Sequence, residues 1–139
     1  MKRTLVLAAL FVVATSNLAL AQRSKTVTHT ADPNTHTAST TTTTTGPNGK
    51  TASRTTSTTA NGNGSVTHNR GSVGPNGGTT SGSATYTNNG DGTATRTGSQ
   101  TGVAGRTRSA TTTAGNGSST TTATRKNGTV VNRSRTRAR

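Results

Sequence analysis

Residues 46–64 read GPNGKTASRTTSTTANGNG, with a turn-forming cluster at each end and alternating hydroxyl side chains between them. The first cluster, Gly46-Pro47-Asn48-Gly49, recurs 28 residues later as Gly74-Pro75-Asn76-Gly77 and again, in weaker form, as Gly102-Val103-Ala104-Gly105. The second cluster, Asn61-Gly62-Asn63-Gly64, recurs at the same interval as Asn89-Gly90-Asp91-Gly92. A constant interval between similar segments is the sequence signature of a repeat protein.

Asn-Gly pairs recur along residues 48–128. Seven of them occur, beginning at Asn48, Asn61, Asn63, Asn76, Asn89, Asn116 and Asn127. Asn-Gly favours a type I′ hairpin turn because both residues accept the positive φ that this turn requires. The pair at Asn116 is about one residue out of step with the repeat, and Val103-Ala104 departs from Pro-Asn, which leaves the turn type at that position open.

Hydroxyl side chains alternate along the segments between the turns. They fall at Thr51, Ser53, Thr55, Ser57 and Thr59 in the first copy, at Thr79, Ser81, Ser83, Thr85 and Thr87 in the second, and at Thr107, Ser109, Thr111 and Thr113 in the third. Alternate side chains of an extended strand share a face, so the pattern predicts one hydroxyl face and one variable face rich in arginine. Threonine is β-branched and favours strands.

The chain has too few apolar side chains for an ordinary globular core. Beyond residue 21 the large apolar side chains are Val27, Val66, Val73, Tyr86, Val103, Val130 and Val131. The sequence has no cysteine that could form a disulfide bond. Such a composition favours disorder or stabilisation by neighbouring repeats. We therefore predict an all-β tendency, with repeated short β-hairpins in a meander or solenoid, low-complexity and largely disordered flanks, and helix only in the signal peptide.

Residues 1–21 have the features of a secretory signal peptide. Lys2 and Arg3 precede an apolar run from Leu5 to Ala14, and the segment ends in Ala19-Leu20-Ala21. The apolar run is shorter than the ~20 residues that span a bilayer, and no second such run follows, so we expect cleavage before Gln22 rather than a retained anchor. The predicted location is secreted or periplasmic, with no transmembrane segment after cleavage.

The chain divides into four parts by composition. After the signal peptide, residues 22–45 are a low-complexity, Thr-rich leader, residues 46–124 contain the repeats, and residues 125–139 form a basic tail. The Gly-Pro-Asn-Gly turns, the Thr-x-Ser/Thr segments and the Ala-Leu-Ala ending together resemble the Thr/Gly-rich secreted repeat proteins of proteobacteria. This resemblance covers roughly residues 46–117 and implies export and repetition without implying a reaction.

The small number of acidic residues and the lack of a paired general base argue against an enzyme. Asp32 and Asp91 are the two acidic residues, and the many hydroxyls have no paired general base. Asp91 is expected to be a turn residue, since a calcium-binding repeat would place an Asp in every copy and Asn63 occupies the equivalent position. His29, Asp32 and His36 lie close in sequence but match no standard metal site, so we predict neither a metal nor a cofactor.

Positive charge is the strongest functional signal. The chain carries 16 Lys+Arg against 2 Asp+Glu, and without Lys2 and Arg3 the balance is 14 minus 2, or +12. Arginine forms bidentate contacts with phosphate, carboxylate and sulfate groups, and cations bind polyanions with release of counterions. We predict a polyanion-binding site in the tail, at Arg125, Lys126, Arg133, Arg135, Arg137 and Arg139.

The partners expected from this charge are anionic polymers met outside the cell: lipopolysaccharide, acidic polysaccharide or extracellular DNA. Sequence-specific DNA binding is not expected, because one tyrosine offers almost no stacking platform. The leading hypothesis is an exported, non-enzymatic repeat protein with a structural or interaction role in the cell envelope or extracellular matrix. A disordered polycationic binder or antimicrobial-like secreted factor is the alternative. Self-assembly through the hydroxyl face is a further possibility, opposed by repulsion if like charges stack.

Overall fold

The computed structural model describes residues 23–137 and shows one open β-sheet of nine strands. The strands are β1 (Ser24–Asp32), β2 (Thr37–Thr45), β3 (Thr51–Ala60), β4 (Ser65–Val73), β5 (Thr79–Asn88), β6 (Thr93–Thr101), β7 (Thr107–Gly115), β8 (Ser118–Thr124) and β9 (Val130–Thr136). Each strand pairs antiparallel with the next one along the chain, so sheet order equals chain order. The predicted all-β class and repeated hairpins are confirmed, in the form of a meander.

The ends of the described region differ from the expected disorder. Residues 24–45 contain β1 and β2, and residues 130–136 of the basic tail form β9. The Thr40–Thr45 run pairs with β1 on one side and β3 on the other, so its backbone groups join two ladders and its β-branched side chains suit an extended chain. The predicted signal peptide, residues 1–21, lies outside the described residues. Within residues 23–137, no helix is present that could cross a lipid bilayer.

The turn at Gly46-Pro47-Asn48-Gly49 is a three-residue hairpin loop. The Gly46 N–H donates to the Lys50 carbonyl over 2.9 Å, and the Gly49 N–H donates to the Gly46 carbonyl over 3.0 Å. Gly49 has φ of 73°, the left-handed conformation that follows a type I turn in this class of loop. The side-chain Oδ1 of Asn48 also accepts a bond from the Lys50 N–H over 3.2 Å.

The same turn geometry occurs at three further positions, including the one left open by the sequence. In Gly102-Val103-Ala104-Gly105, the Gly102 N–H lies 3.0 Å from the Arg106 carbonyl and Gly105 has φ of 69°. Residues 74–77 and 125–128 form the corresponding bonds. The turn tolerates Val103-Ala104 because only the final glycine needs a positive φ, whereas the two central residues keep ordinary dihedral angles.

The predicted type I′ conformation holds for one Asn-Gly pair. All seven glycines that follow an asparagine have positive φ, but among the described asparagines Asn116 alone does, with φ of 52°. Asn116-Gly117 is therefore a two-residue type I′ turn between β7 and β8, and the prediction is wrong for the other six pairs. Their loops are one or more residues longer, which lets the asparagine keep negative φ and leaves glycine the left-handed position.

Equivalent residues of successive repeats are offset along the sheet. A row is the set of residues that pair with one another across successive strands. Ser53 pairs with Val73, and Val73 pairs with Thr79, so Thr79 lies in the row of Ser53. Its equivalent in the preceding repeat is Thr51, which lies in a different row. The next copy is displaced in the same way, since Thr107 pairs with Thr101 and lies in the row of Ser81. Each 28-residue copy thus steps by two residues, and an even step keeps every side chain on its original face.

Neither face of the sheet is covered. Among the described residues no hydrophobic side chain is buried, and Ser65 is the one buried polar residue. The absence of an ordinary core in this region agrees with the composition. The sheet is therefore held by its backbone ladders and by contacts between side chains on neighbouring strands.

Candidate polyanion-binding face

All lysines and arginines within the strands lie on the same side of the sheet. We call this side the cationic face and the opposite side the hydroxyl face. The register and the alternation of side chains place on the cationic face Lys25, Arg54, Arg70, Arg96, Arg108, Arg133 and Arg135. The two faces predicted from the alternating hydroxyls therefore exist, and the strand cations are spread over β1, β3, β4, β6, β7 and β9.

A row of small residues crosses the middle of the cationic face. Ala84 on β5 pairs with Gly98 on β6, Gly98 with Ala110 on β7, and Ala110 with Ala123 on β8. Four aligned residues with one side-chain carbon or none form a low floor that runs perpendicular to the strands. At ~4.8 Å between neighbouring strands, this floor is about 14 Å long.

Larger polar side chains border the floor on both sides. One bank is the row of Arg70, Gly82, Gln100 and Arg108, in which each residue pairs with the next one across neighbouring strands. The other bank contains Tyr86 and Arg96, which pair directly. Floor and banks enclose an open trough of about 550 Å³, whose lining also includes Arg54 and Arg125. We call it the cationic trough.

Arg96 and Tyr86 form the most structured contact in the trough. Nε of Arg96 donates to the Tyr86 hydroxyl over 2.9 Å, and the guanidinium carbon lies 5.5 Å from the centre of the ring. Tyr86 is 49 % exposed, so its ring forms part of the accessible wall. A guanidinium held beside an aromatic ring keeps outward-facing N–H donors for an anion.

Two other arginines are oriented by neutral neighbours. Arg108 donates from Nε and Nη2 to Oε1 of Gln100, with the Nε bond at 3.1 Å. Arg70 extends over Gly82, where a Cβ would lie 3.1 Å from the Arg70 Nε atom. Because a glutamine amide and a glycine bring no charge, neither neighbour compensates the charge of these guanidiniums.

The two carboxylates of the chain hydrogen-bond within turns and do not border the trough. Asp91 accepts bonds from the hydroxyl and the N–H of Thr93, and these bonds lower its pKa. The pKa of Asp32 is lowered chiefly by the Asn34 N–H, which lies 2.9 Å from Oδ1, with a smaller contribution from the Thr35 side chain. Both groups are therefore ionised at neutral pH, at turn positions away from the trough lining.

The structure separates the residues of the predicted tail site. Arg125 lines the trough, and Arg133 and Arg135 lie on the cationic face, where they border a second small cleft with Ser119 and Thr121. Lys126 belongs to the turn before β9, and its Nζ lies 3.7 Å from the position of a Cβ on Gly102. Arg137 follows β9 and its N–H donates to the Gly117 carbonyl. Arg139 lies outside the described residues.

The histidines and carboxylates do not assemble a metal site within residues 23–137. His29 hydrogen-bonds through Nδ1 to Thr40 over 2.9 Å on the cationic face, whereas Asp32 belongs to a row of the hydroxyl face. His36 lies in the turn between β1 and β2 with φ of 49°. The three residues that are close in sequence therefore do not share one side of the sheet.

Sequence reasoning located the arginine-rich face but missed its centre. The site predicted from the sequence lies in the tail, where the arginines are densest, and does not include Arg54, Arg70, Arg96 or Arg108. The signal for the trough is the alignment of Ala84, Gly98, Ala110 and Ala123, which are 14, 12 and 13 residues apart. Converting those intervals into one row requires the length of each turn, which the sequence leaves open at Val103-Ala104 and which the type I′ prediction gives incorrectly at Asn89-Gly90.

The chain matches no protein-family model, no curated protein and no solved structure.

Proposed function

We propose that this chain is an exported, non-enzymatic repeat protein that binds anionic polymers on its cationic face. Its role would be structural or interactive, in the cell envelope or the extracellular matrix. The observation that carries the proposal is the cationic trough, in which arginines without carboxylate partners border a floor of small residues. The signal-like features of residues 1–21 support export.

The shape of the trough suits a linear polymer better than a small anion. Its floor of alanine and glycine leaves room for a chain backbone, and guanidiniums on both banks can reach groups on either side of it. Guanidinium N–H groups bind the oxygens of sulfate, phosphate and carboxylate in pairs. Lipopolysaccharide, acidic polysaccharide and extracellular DNA all carry such groups, and with a single Tyr86 ring the site has little means to read a base sequence.

Binding to heparin and to duplex DNA over a range of salt concentrations tests this function. The variant Arg70→Gln/Arg96→Gln/Arg108→Gln removes three trough cations. The matched control Lys50→Gln/Arg106→Gln/Lys126→Gln removes three cations near the turns. For DNA, the slope of log K against log salt should decrease by up to about 2.7 in the trough variant, at about 0.9 per phosphate contact.

The two variants have the same net charge, so their comparison separates a site from a general attraction. We expect the control to keep most of the wild-type affinity and slope. Equal losses in both variants would contradict the trough as the binding site while leaving polyanion binding intact. No measurable binding of the wild-type chain to heparin or DNA at about 0.05 M salt, where such interactions are strong, would contradict the function itself.

A further inference from the structure

Most side chains of the hydroxyl face are threonine or serine, with exceptions at Asp32, Asn69, Gly71, Val73, Gly115, Val130 and Asn132. One of its rows contains seven consecutive threonines, one on each strand from β2 to β8, which pair in turn through the register. They are Thr37, Thr59, Thr67, Thr85, Thr97, Thr111 and Thr122. The flanking rows are mostly serine and threonine, so methyl and hydroxyl groups cover this side.

Hydrogen bonds between strands fix many of these hydroxyls. Thr37 bonds to Thr59 over 2.8 Å, and Thr67 bonds to Thr85 over 3.1 Å. A second bond joins β2 and β3 at Thr41–Thr55, and similar bonds join β1 to β2 at Thr30–Ser39 and β6 to β7 at Thr95–Thr113. Side chains that are already held by their neighbours lose little additional freedom when another surface packs on them.

No lysine or arginine occurs on the strands of this face, and Asp32 is its one carboxylate, at the end of an edge strand. Two copies can therefore stack with their hydroxyl faces together while all strand cations point outward on opposite sides. This arrangement removes the repulsion that would oppose stacking if charges were spread over both faces. Among face-to-face arrangements of two copies, it also places the two cationic faces farthest apart.

The available area is sufficient for a stable interface. With nine strands at ~4.8 Å and about nine residues per strand at ~3.4 Å, the face measures roughly 40 by 30 Å, or about 1,200 Å². Standard protein interfaces bury about 800 Å² on each partner. Packed sheets lie about 10 Å apart with their inner side chains interdigitated, and short threonine and serine side chains suit such a spacing.

We propose that two copies of this chain associate face to face through their hydroxyl faces, forming a two-layered sandwich with a cationic face on each outer side. The occupant of the uncovered hydroxyl face is thus a second copy. The inference does not depend on the proposed function, because a polyanion-binding monomer and a non-binding dimer are both physically consistent. A dimer would, however, present two cationic troughs on opposite sides.

Sedimentation velocity of the purified chain in polyanion-free buffer, at about 0.15 M salt, tests the dimer. The interface variant Thr55→Lys/Thr111→Lys places two cations on the hydroxyl face. The matched control Thr56→Lys/Thr112→Lys makes the same substitutions one residue later in β3 and β7, on the cationic face. Both variants have the same net charge, and circular dichroism checks that each keeps its strands.

We expect twice the monomer mass for the wild-type chain and for the control, and the monomer mass for the interface variant. A wild-type chain that is folded and monomeric at every concentration up to the millimolar range would overturn the proposal. Equal dissociation of both variants would also overturn it, since general repulsion would then explain the result. If the interface variant loses its strands, the wild-type chain decides alone: a dimer that dissociates on dilution supports the proposal, and a monomer at every concentration overturns it. Open-ended filaments instead of dimers would also overturn it and would indicate pairing of the edge strands β1 and β9.

Discussion

The hydroxyl of Thr93 donates a hydrogen bond to Oδ1 of Asp91 over 2.6 Å, and the Thr93 N–H donates to the same oxygen over 2.9 Å. In the preceding copy, Ser65 donates to Oδ1 of Asn63 from its hydroxyl over 2.6 Å and from its N–H over 3.3 Å. One turn is thus built twice, once around a carboxylate and once around an amide. Since the amide does not titrate, the pair provides an internal control for the effect of charge.

The stability of the sheet should decrease in acid through Asp91. Its pKa lies below the ordinary 3.8, chiefly because of the Thr93 hydroxyl and then the Thr93 N–H. A carboxyl whose folded pKa is lower than its unfolded pKa stabilises the fold above the unfolded value, and this contribution is lost as pH falls through the folded value. In an Asp32→Asn background, melting temperatures should fall between about pH 5 and pH 2. Adding Asp91→Asn should flatten this dependence, and an equally steep loss in the double variant would contradict the assignment.

Gly115 should not tolerate a side chain. A Cβ at this position would lie 2.5 Å from the Gly92 carbonyl oxygen and 2.8 Å from the Cα of Thr93. Gly115→Ala should therefore lower the free energy of unfolding by about 1–3 kcal/mol, the usual cost of overpacking. Gly71→Ala is the control, because a Cβ there would meet nothing closer than the Thr80 carbonyl at 4.0 Å. Thermal melts should show Gly71→Ala unchanged or slightly stabilised, and similar losses in both variants would refute the steric explanation.

Filling the floor of the trough should weaken binding without any change in charge. Ala110→Leu adds bulk between the two banks, whereas Ala52→Leu makes the same substitution on the cationic face outside the trough lining. Heparin affinity, measured by isothermal titration calorimetry, should fall several-fold in Ala110→Leu and stay near the wild-type value in Ala52→Leu. Unchanged affinity in Ala110→Leu would mean that polyanions bind across the tops of the arginines rather than in the trough.

Tyr86 should report occupancy of the trough by its own fluorescence. The chain has one tyrosine and no tryptophan, so the emission comes from this ring alone. A polyanion that engages Arg96 must compete with its 2.9 Å bond to the Tyr86 hydroxyl and alter the surroundings of the ring. Heparin should therefore change the emission in a saturable manner, and Arg96→Gln should remove most of that change. Constant emission at saturating heparin would place the polymer elsewhere.

Salt should stabilise the free chain, which is the reverse of its effect on the complex. Seven cations share one face of the sheet, and no carboxylate lies among them. Screening shortens the range of their mutual repulsion, to about 3 Å at 1 M salt. The melting temperature should rise with sodium chloride, and it should rise less in Arg70→Gln/Arg108→Gln. A melting temperature that falls with salt would show that attractive charge pairs, not repulsion, dominate the folded state.

Local patterns predicted the repeats and the two faces, because turn chemistry and the two-residue period of a strand can be read directly from neighbouring residues. The low complexity of the flanks predicts disorder there. It does not reveal that Thr40–Thr45 pairs with β1 on one side and with β3 on the other. The trough was missed for a related reason. Ala84 and Ala123 are brought into one row only by the exact length of the intervening loops, and loop length decides register.

The two-residue step between successive copies also bears on how such a chain can lengthen. Because the 28-residue unit is displaced by an even number of residues, an extra copy inserted by gene duplication would extend both faces without mixing them. An insertion of odd length within a strand would instead turn its downstream half over and bring arginines among the threonines. A change in copy number therefore preserves the two faces of the sheet, whereas a single-residue insertion within a strand does not.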